Sequence, residues 1–214
     1  MRAGNSIHAV LFDWDGTLLD SYHADARAYL EMFRALGVNW GLADLERHYS
    51  PDWYRVYRAA RIPRKRWKEA DRLWRRAYRW LRPKLLLGAR GVLRQLRRQF
   101  VLGIVSSGDR ERVTGQLRSF RLARVFAACV CSEDAARRKP HPAPLREALR
   151  QLRLRPRECV YVGDAPEDIE MARRAGVRPV GVFGPFPTHD RLRAARPDAL
   201  LDSLTDLPGY LGVL

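Results

Sequence analysis

Four short, unbroken apolar runs constrain this chain more than any other feature: residues 8–12, 100–105, 126–131 and 159–162. Each is too short for an ordinary helix and lacks the polar alternation of a half-wetted strand. Runs of this kind suit strands covered on both faces, the habit of parallel sheets. Residues 179–183 and 199–201 read as further strands. Helical patterns at 91–99, 110–119, 143–152 and 166–175 fall between them, so strand and helix alternate as in βαβ units. The expected fold class is α/β, with a doubly wound, Rossmann-like parallel sheet.

Residues 21–84 break the alternation and read as several helices without a strand. Within them Trp67, Ala70, Trp74, Ala77 and Leu81 recur at spacings of three and four, an amphipathic stripe with Arg and Lys on the other faces. The predicted organisation is an α/β core domain of residues 1–20 and 85–214 with an inserted all-helical cap domain of residues 21–84. A chain of 214 residues has room for one such core and a small insert but not for two ordinary domains. Its 46% hydrophobic content argues against disorder. No run approaches the ~20 apolar residues of a membrane span and no secretory signal is visible, so the expected location is cytoplasmic. The three cysteines, Cys129, Cys131 and Cys159, fit a reducing compartment and read as small buried hydrophobes.

Each principal strand ends in residues that carry chemistry. The first runs into Asp13-Trp14-Asp15-Gly16-Thr17, where two carboxylates at i and i+2 point the same way and the glycine lets the chain turn. The second ends in Ser106-Ser107-Gly108 ahead of a helix whose first turn could offer free N–H groups to an anion; taken alone, it reads as plain N-capping by Ser107 or Asp109. After the third comes Arg138-Lys139-Pro140-His141-Pro142, stiffened by its prolines. The fourth ends in Gly163-Asp164-Ala165-Pro166-Glu167-Asp168, and Asp164 and Asp168, four apart across a helix start, can face one point. Turns and caps explain each segment singly. They do not explain the conjunction, because parallel strands place all four carboxyl ends on the edge where open α/β folds bind ligands.

With these four motifs in this order, the sequence resembles the haloacid-dehalogenase-like hydrolase superfamily, of the phosphoglycolate-phosphatase and β-phosphoglucomutase type with a helical cap. The similarity covers the whole core, from Asp13-Trp-Asp-Gly-Thr-Leu-Leu-Asp20-Ser21 to Gly163-Asp164-Ala-Pro-Glu-Asp168 and the helix after it. The resemblance implies that Asp13 attacks a phosphate monoester to form an aspartyl-phosphate that water hydrolyses. It implies that Asp15 is the general acid and base, and that Ser106, Ser107, Gly108 and Lys139 bind the phosphoryl oxygens. Mg²⁺ is the implied cofactor, held by the side chains of Asp13 and Asp164 and the backbone carbonyl of Asp15. Thr17 and Asp168 would support the site from behind, Asp168 by orienting Lys139 or a metal-bound water. The implied activity is hydrolysis of a small, soluble, anionic phosphate ester: phosphoglycolate-like, a sugar phosphate or a nucleotide. A phosphomutase shares every core motif.

Forty basic residues against 24 acidic ones give a net charge of +16, which attracts anions generally. Between Trp53 and Lys84 there are 13 basic residues against Glu69 and Asp71 only, interleaved with tryptophans. Such a mixture can form a nucleic-acid surface. The favoured reading makes Trp67 and Trp74, seven apart, the apolar seam of the cap with arginines on its wet side. In a third reading, some of these arginines face the site and bind a second anionic group of the substrate. A membrane partner is not expected, and the oligomeric state stays open.

Overall fold

The computed structural model describes residues 7–213. Its first elements are β1 (Ala9–Phe12), β2 (Leu19–Asp20) and α1 (Tyr22–Leu36), followed by α2 (Leu42–His48), α3 (Trp53–Ala59) and α4 (Trp67–Tyr78). The chain then returns through β3 (Lys84–Leu85), α5 (Ala89–Leu96), β4 (Val101–Val105), α6 (Arg110–Ser119), β5 (Ala128–Val130) and α7 (Ala143–Leu152). It closes with β6 (Cys159–Gly163), α8 (Pro166–Ala175), β7 (Arg178–Val182), α9 (His189–Ala194), β8 (Ala199–Leu201) and α10 (Leu207–Tyr210).

Six strands form one sheet in the order β5-β4-β1-β6-β7-β8, and every neighbouring pair is parallel. The sequence patterns mark all six, three helices (α6, α7, α8) to the residue, and α5 within a few residues. Because both faces are covered, alternate strand residues enter different cores: Val10 and Phe12 join one apolar cluster, Ala9 and Leu11 the other. Each such aliphatic or aromatic side chain gains roughly 1.5–3 kcal/mol on full burial. From β1 the chain steps outward to β4 and β5, then crosses back to β6 on the other side. This reversal opens a crevice beyond the carboxyl ends of β1 and β6, the switch point of a doubly wound sheet.

The segment between β2 and β3 is helical, with its own apolar core around Tyr29, Phe33, Val56, Tyr57 and Ala70. Trp67 and Trp74 pack against that core, as the seam reading expects, while Leu81 lies beyond the end of α4. One element was not anticipated: β2 and β3 pair antiparallel, Leu19 with Leu85 and Asp20 with Lys84, and tie the two crossings together. Two-residue strands are too short to leave a periodic pattern in the sequence. All three cysteines are free; Cys131 and Cys159 are buried and Cys129 is half-buried, with its sulfur 3.8 Å from that of Cys131. Among the described residues no helix is long and apolar enough to cross a membrane.

Candidate active site

Asp13 follows β1 and Asp164 follows β6, so pairing of these strands brings residues 151 positions apart side by side. Alternation past the end of β1 does the rest. Trp14 turns into the core, fully buried, with its indole N–H donating to Gln116 Oε1 at 2.8 Å, while Asp13 and Asp15 both line the crevice. Gly16, at φ +84°, turns the chain sharply, and a Cβ there would collide with the Asp164 carboxylate and with Phe186. Only glycine suits both the left-handed backbone and that approach.

Lys139 is 2% exposed and bridges two carboxylates, donating to Asp13 Oδ1 at 2.5 Å and to Asp168 Oδ1 at 2.8 Å. Burial works against its charge, but the two aspartates outweigh it and raise its pKa. Asp168 is held on every side: its Oδ1 also accepts from the Tyr161 hydroxyl at 3.2 Å, and its Oδ2 from the Ala165 N–H at 3.1 Å. Asp168 therefore stands behind Lys139. Thr17 likewise stands behind the site, donating to Asp164 Oδ1 at 3.1 Å.

Carboxylate oxygens of Asp13, Asp164 and Asp168 lie within 4.8 Å of one another. Since Asp168 is occupied by its hydrogen bonds and Asp13 Oδ1 by Lys139, the oxygens left for a cation are Asp13 Oδ2 and one oxygen of Asp164. Burial raises Asp13 to about 7, against the opposing pull of Lys139, and burial beside Asp13 and Asp168 raises Asp164 well above the carboxylate range. Three buried carboxylates facing one ammonium are short of positive charge, and an all-oxygen donor set suits a small hard dication. The residues therefore fit a Mg²⁺-type ion on Asp13 and Asp164. The Asp15 side chain takes no part in this cluster.

Arg112, from the first turn of α6, holds Asp15 instead. Its guanidinium reaches the Asp15 carboxylate in a bidentate pair at 2.9 and 2.6 Å, and lies 5.8 Å from the Trp74 ring and 5.1 Å from the Tyr78 ring on α4. Burial alone would raise Asp15, but Arg112 outweighs it and pulls the carboxyl below its usual range. In this arrangement the Asp15 carboxylate is paired with Arg112 rather than free in the crevice. One arginine among 36, 97 positions from its partner, gave no sequence signal.

The loop between β4 and α6 has a more defined internal structure than its sequence indicates. Ser106, 3% exposed, accepts the Gly108 N–H on its Oγ at 2.9 Å, so that N–H is not free for an anion. Asp109, not Ser107, caps α6 by accepting from the Arg112 N–H at 3.0 Å. The Ser107 hydroxyl is buried without a partner on the wall of the crevice. Where the helical segment meets the core, Ser50 donates to Glu167 Oε1 at 2.8 Å and Arg55 approaches the same carboxylate at 3.5 Å.

The crevice and the helical segment enclose a cavity of about 100 Å³. Asp13, Asp15, Asp164 and Ser107 form its floor, and aromatic residues of the helical segment, among them Tyr29, Tyr49, Trp53 and Trp74, form its roof. The sequence reading missed Asp25, on the site-facing side of α1, in this wall. Burial, reinforced by the nearby Asp15 charge, pushes Asp25 up to about 8.

A doubly wound core with acidic residues and one lysine gathered at its switch point defines an enzyme of the phosphatase type. The family described as haloacid dehalogenase-like hydrolase matches residues 10–182, and this chain belongs to it. The pyrophosphatase PpaX of Bacillus cereus (strain B4264) is 29% identical over 206 residues, covering 94% of each chain. The validoxylamine A 7'-phosphate phosphatase of Streptomyces hygroscopicus subsp. limoneus is 31% identical over 204 residues, covering 92% of this chain and 94% of its own. Among solved structures, CbbY from Rhodobacter sphaeroides in complex with phosphate matches with a TM-score of 0.81 at 26% identity, covering 97% of this chain and 99% of that one.

Proposed function

We propose that this protein is a Mg²⁺-dependent phosphatase that hydrolyses a small phosphate monoester through an aspartyl-phosphate on Asp13. The observation that carries the reading is Asp13 itself: one oxygen is fixed by Lys139 and the other faces the cavity beside Asp164. Asp13 and Asp164 would hold the ion, as would the Asp15 carbonyl by family resemblance. When bound, the ion offsets the repulsion between carboxylate and phosphate and stabilises charge on the transferring group. Lys139 and the Ser107 hydroxyl bind phosphoryl oxygens, and Ser106 shapes the loop through Gly108. Asp15 exchanges protons with the leaving oxygen and then with water once it parts from Arg112, whose grip keeps it ionised in the resting arrangement.

The helical segment, residues 21–84, acts as a cap that excludes water from the cavity and selects the substrate. Two relatives whose names specify phosphatase chemistry and a phosphate-bound neighbour support the reaction class. The free cysteines suit a cytoplasmic location. A nucleic-acid surface is not favoured, since Trp67 and Trp74 are seated in the cap's own core.

The test is a screen of small phosphate esters with Mg²⁺. Hydrolysis of at least one is expected, with activity lost in EDTA and recovered on adding excess Mg²⁺. Full turnover in metal-free buffer would remove the cation from the account, and transfer of phosphate between sugar hydroxyls in place of release to water would make the enzyme a mutase.

A further inference from the structure

The cap wall of the cavity has the wrong charge for this protein. The chain carries a net +16, yet its enclosed site is lined by six aspartates against Arg75 and Arg112. Three of the six, Asp13, Asp15 and Asp164, belong to the reacting end, and Asp15 already neutralises Arg112. Asp109 caps α6. Asp25 and Asp71 remain, both from the cap, and neither has a role in the reaction proposed above. Arg75 lies 3.9 Å from Asp109, with more than half of its side chain exposed. Among the described residues the cap presents one arginine, Arg75, and two aspartates to the cavity, so the third reading, a set of cap arginines holding a second anion, is not what lines it.

Asp25 and Tyr29 lie one turn apart on α1 and line the same wall. Asp25 has no ion-pair partner among the described residues. Tyr29 is 4% exposed, and its hydroxyl makes no hydrogen bond among the described residues. Its ring meets that of Trp74 edge to face at 6.2 Å, forming an aromatic corner. Asp71 completes the wall, accepting the Tyr57 hydroxyl at 3.0 Å. A wall that offers carboxylates, a free hydroxyl and ring faces is rich in acceptors and poor in cations. A carboxylate there would meet like charge, which costs affinity. An ammonium brings three donors and no acceptor, and binds both carboxylates and ring faces.

We infer that the preferred substrate is a phosphate monoester whose leaving group carries a protonated amine, which Asp25 and the Tyr29 corner recognise across the cavity from Asp13. This inference rests on the phosphatase reading and names the substrate class for that same site.

The experiment compares kcat/KM for matched esters with Mg²⁺: glucosamine 6-phosphate against glucose 6-phosphate, and phosphoethanolamine against ethyl phosphate and phosphoglycolate. The amine-bearing member of each pair should lead by at least about tenfold, mostly through KM, with phosphoglycolate last. Asp25→Asn should cut that lead at least fivefold, and Tyr29→Phe should cut it less. Asp25→Asn removes a charge that lacks a partner in the free protein, so it should melt no lower than wild type at pH 8, and circular dichroism checks its fold. Equal rates within each pair, a lead that survives Asp25→Asn, or phosphoglycolate as the best substrate would each overturn the inference while leaving the phosphatase intact. If no ester is turned over, the phosphatase reading falls and the inference falls with it.

Discussion

Asp13→Asn should lower turnover of any substrate ester by roughly 10³–10⁵-fold, the scale on which loss of an enzymatic nucleophile is felt. The change replaces one oxygen by an amide nitrogen and alters no packing. It removes the lone pair that would attack phosphorus and the charge that would hold the cation. The fold should survive. Asp13 is 7% exposed and is pushed up to about 7 chiefly by burial, so its charge is not a source of stability at neutral pH, and the neutral amide can still accept from Lys139. The measurement is steady-state hydrolysis alongside a thermal melt. A variant that keeps more than a few per cent of wild-type kcat would remove Asp13 from the chemistry.

Lys139→Met is expected to affect folding and activity together. Its ammonium sits between Asp13 and Asp168 at 2.5 and 2.8 Å with 2% of the residue exposed. Removing one member of a buried ionic cluster leaves the others uncompensated, at a cost of about 3–5 kcal/mol. That cost depends on pH, and its sign follows from linkage. Without the lysine, Asp13, already raised by burial, holds its proton more tightly in the folded state than in the unfolded chain. Its contribution is then complete at low pH and lost as pH rises through the raised folded value. Chemical denaturation should show the deficit largest near pH 8 and reduced near pH 5. Activity should fall by at least ~10²-fold, since a donor to the transferring phosphoryl group is gone. A deficit that does not change between pH 5 and pH 8 would contradict the ionic account of this cluster.

The sequence exposed what local pattern encodes. Continuous apolar runs marked the six strands of the sheet, and the residues just beyond them marked Asp13, Lys139, Asp164 and Asp168, because a parallel sheet must deliver its strand ends to one edge. It could not expose what depends on side chains from remote elements meeting. Arg112 meets Asp15 only because β1 and β4 are neighbours and α6 starts above them, and a single arginine in so basic a chain carries no mark of its own. Asp25 is similar. It reads as one polar residue early in a helix, and its place on the cavity wall follows from how α1 is laid over the sheet edge. The seven-residue spacing of Trp67 and Trp74 did show in the sequence as a seam, and both pack against the cap's own core; that aspartates line the cavity beside them did not.

The account's central statement is that Asp13 becomes phosphorylated during turnover. Rapid acid quench of a single turnover, followed by digestion and mass spectrometry, reads this directly. The predicted result is one added phosphoryl group on the peptide that contains Asp13, appearing and decaying at rates that match phosphate release and lost on treatment with hydroxylamine. Phosphate released at full rate with that peptide unmodified at every time point, or with the phosphoryl group on another residue, would contradict it.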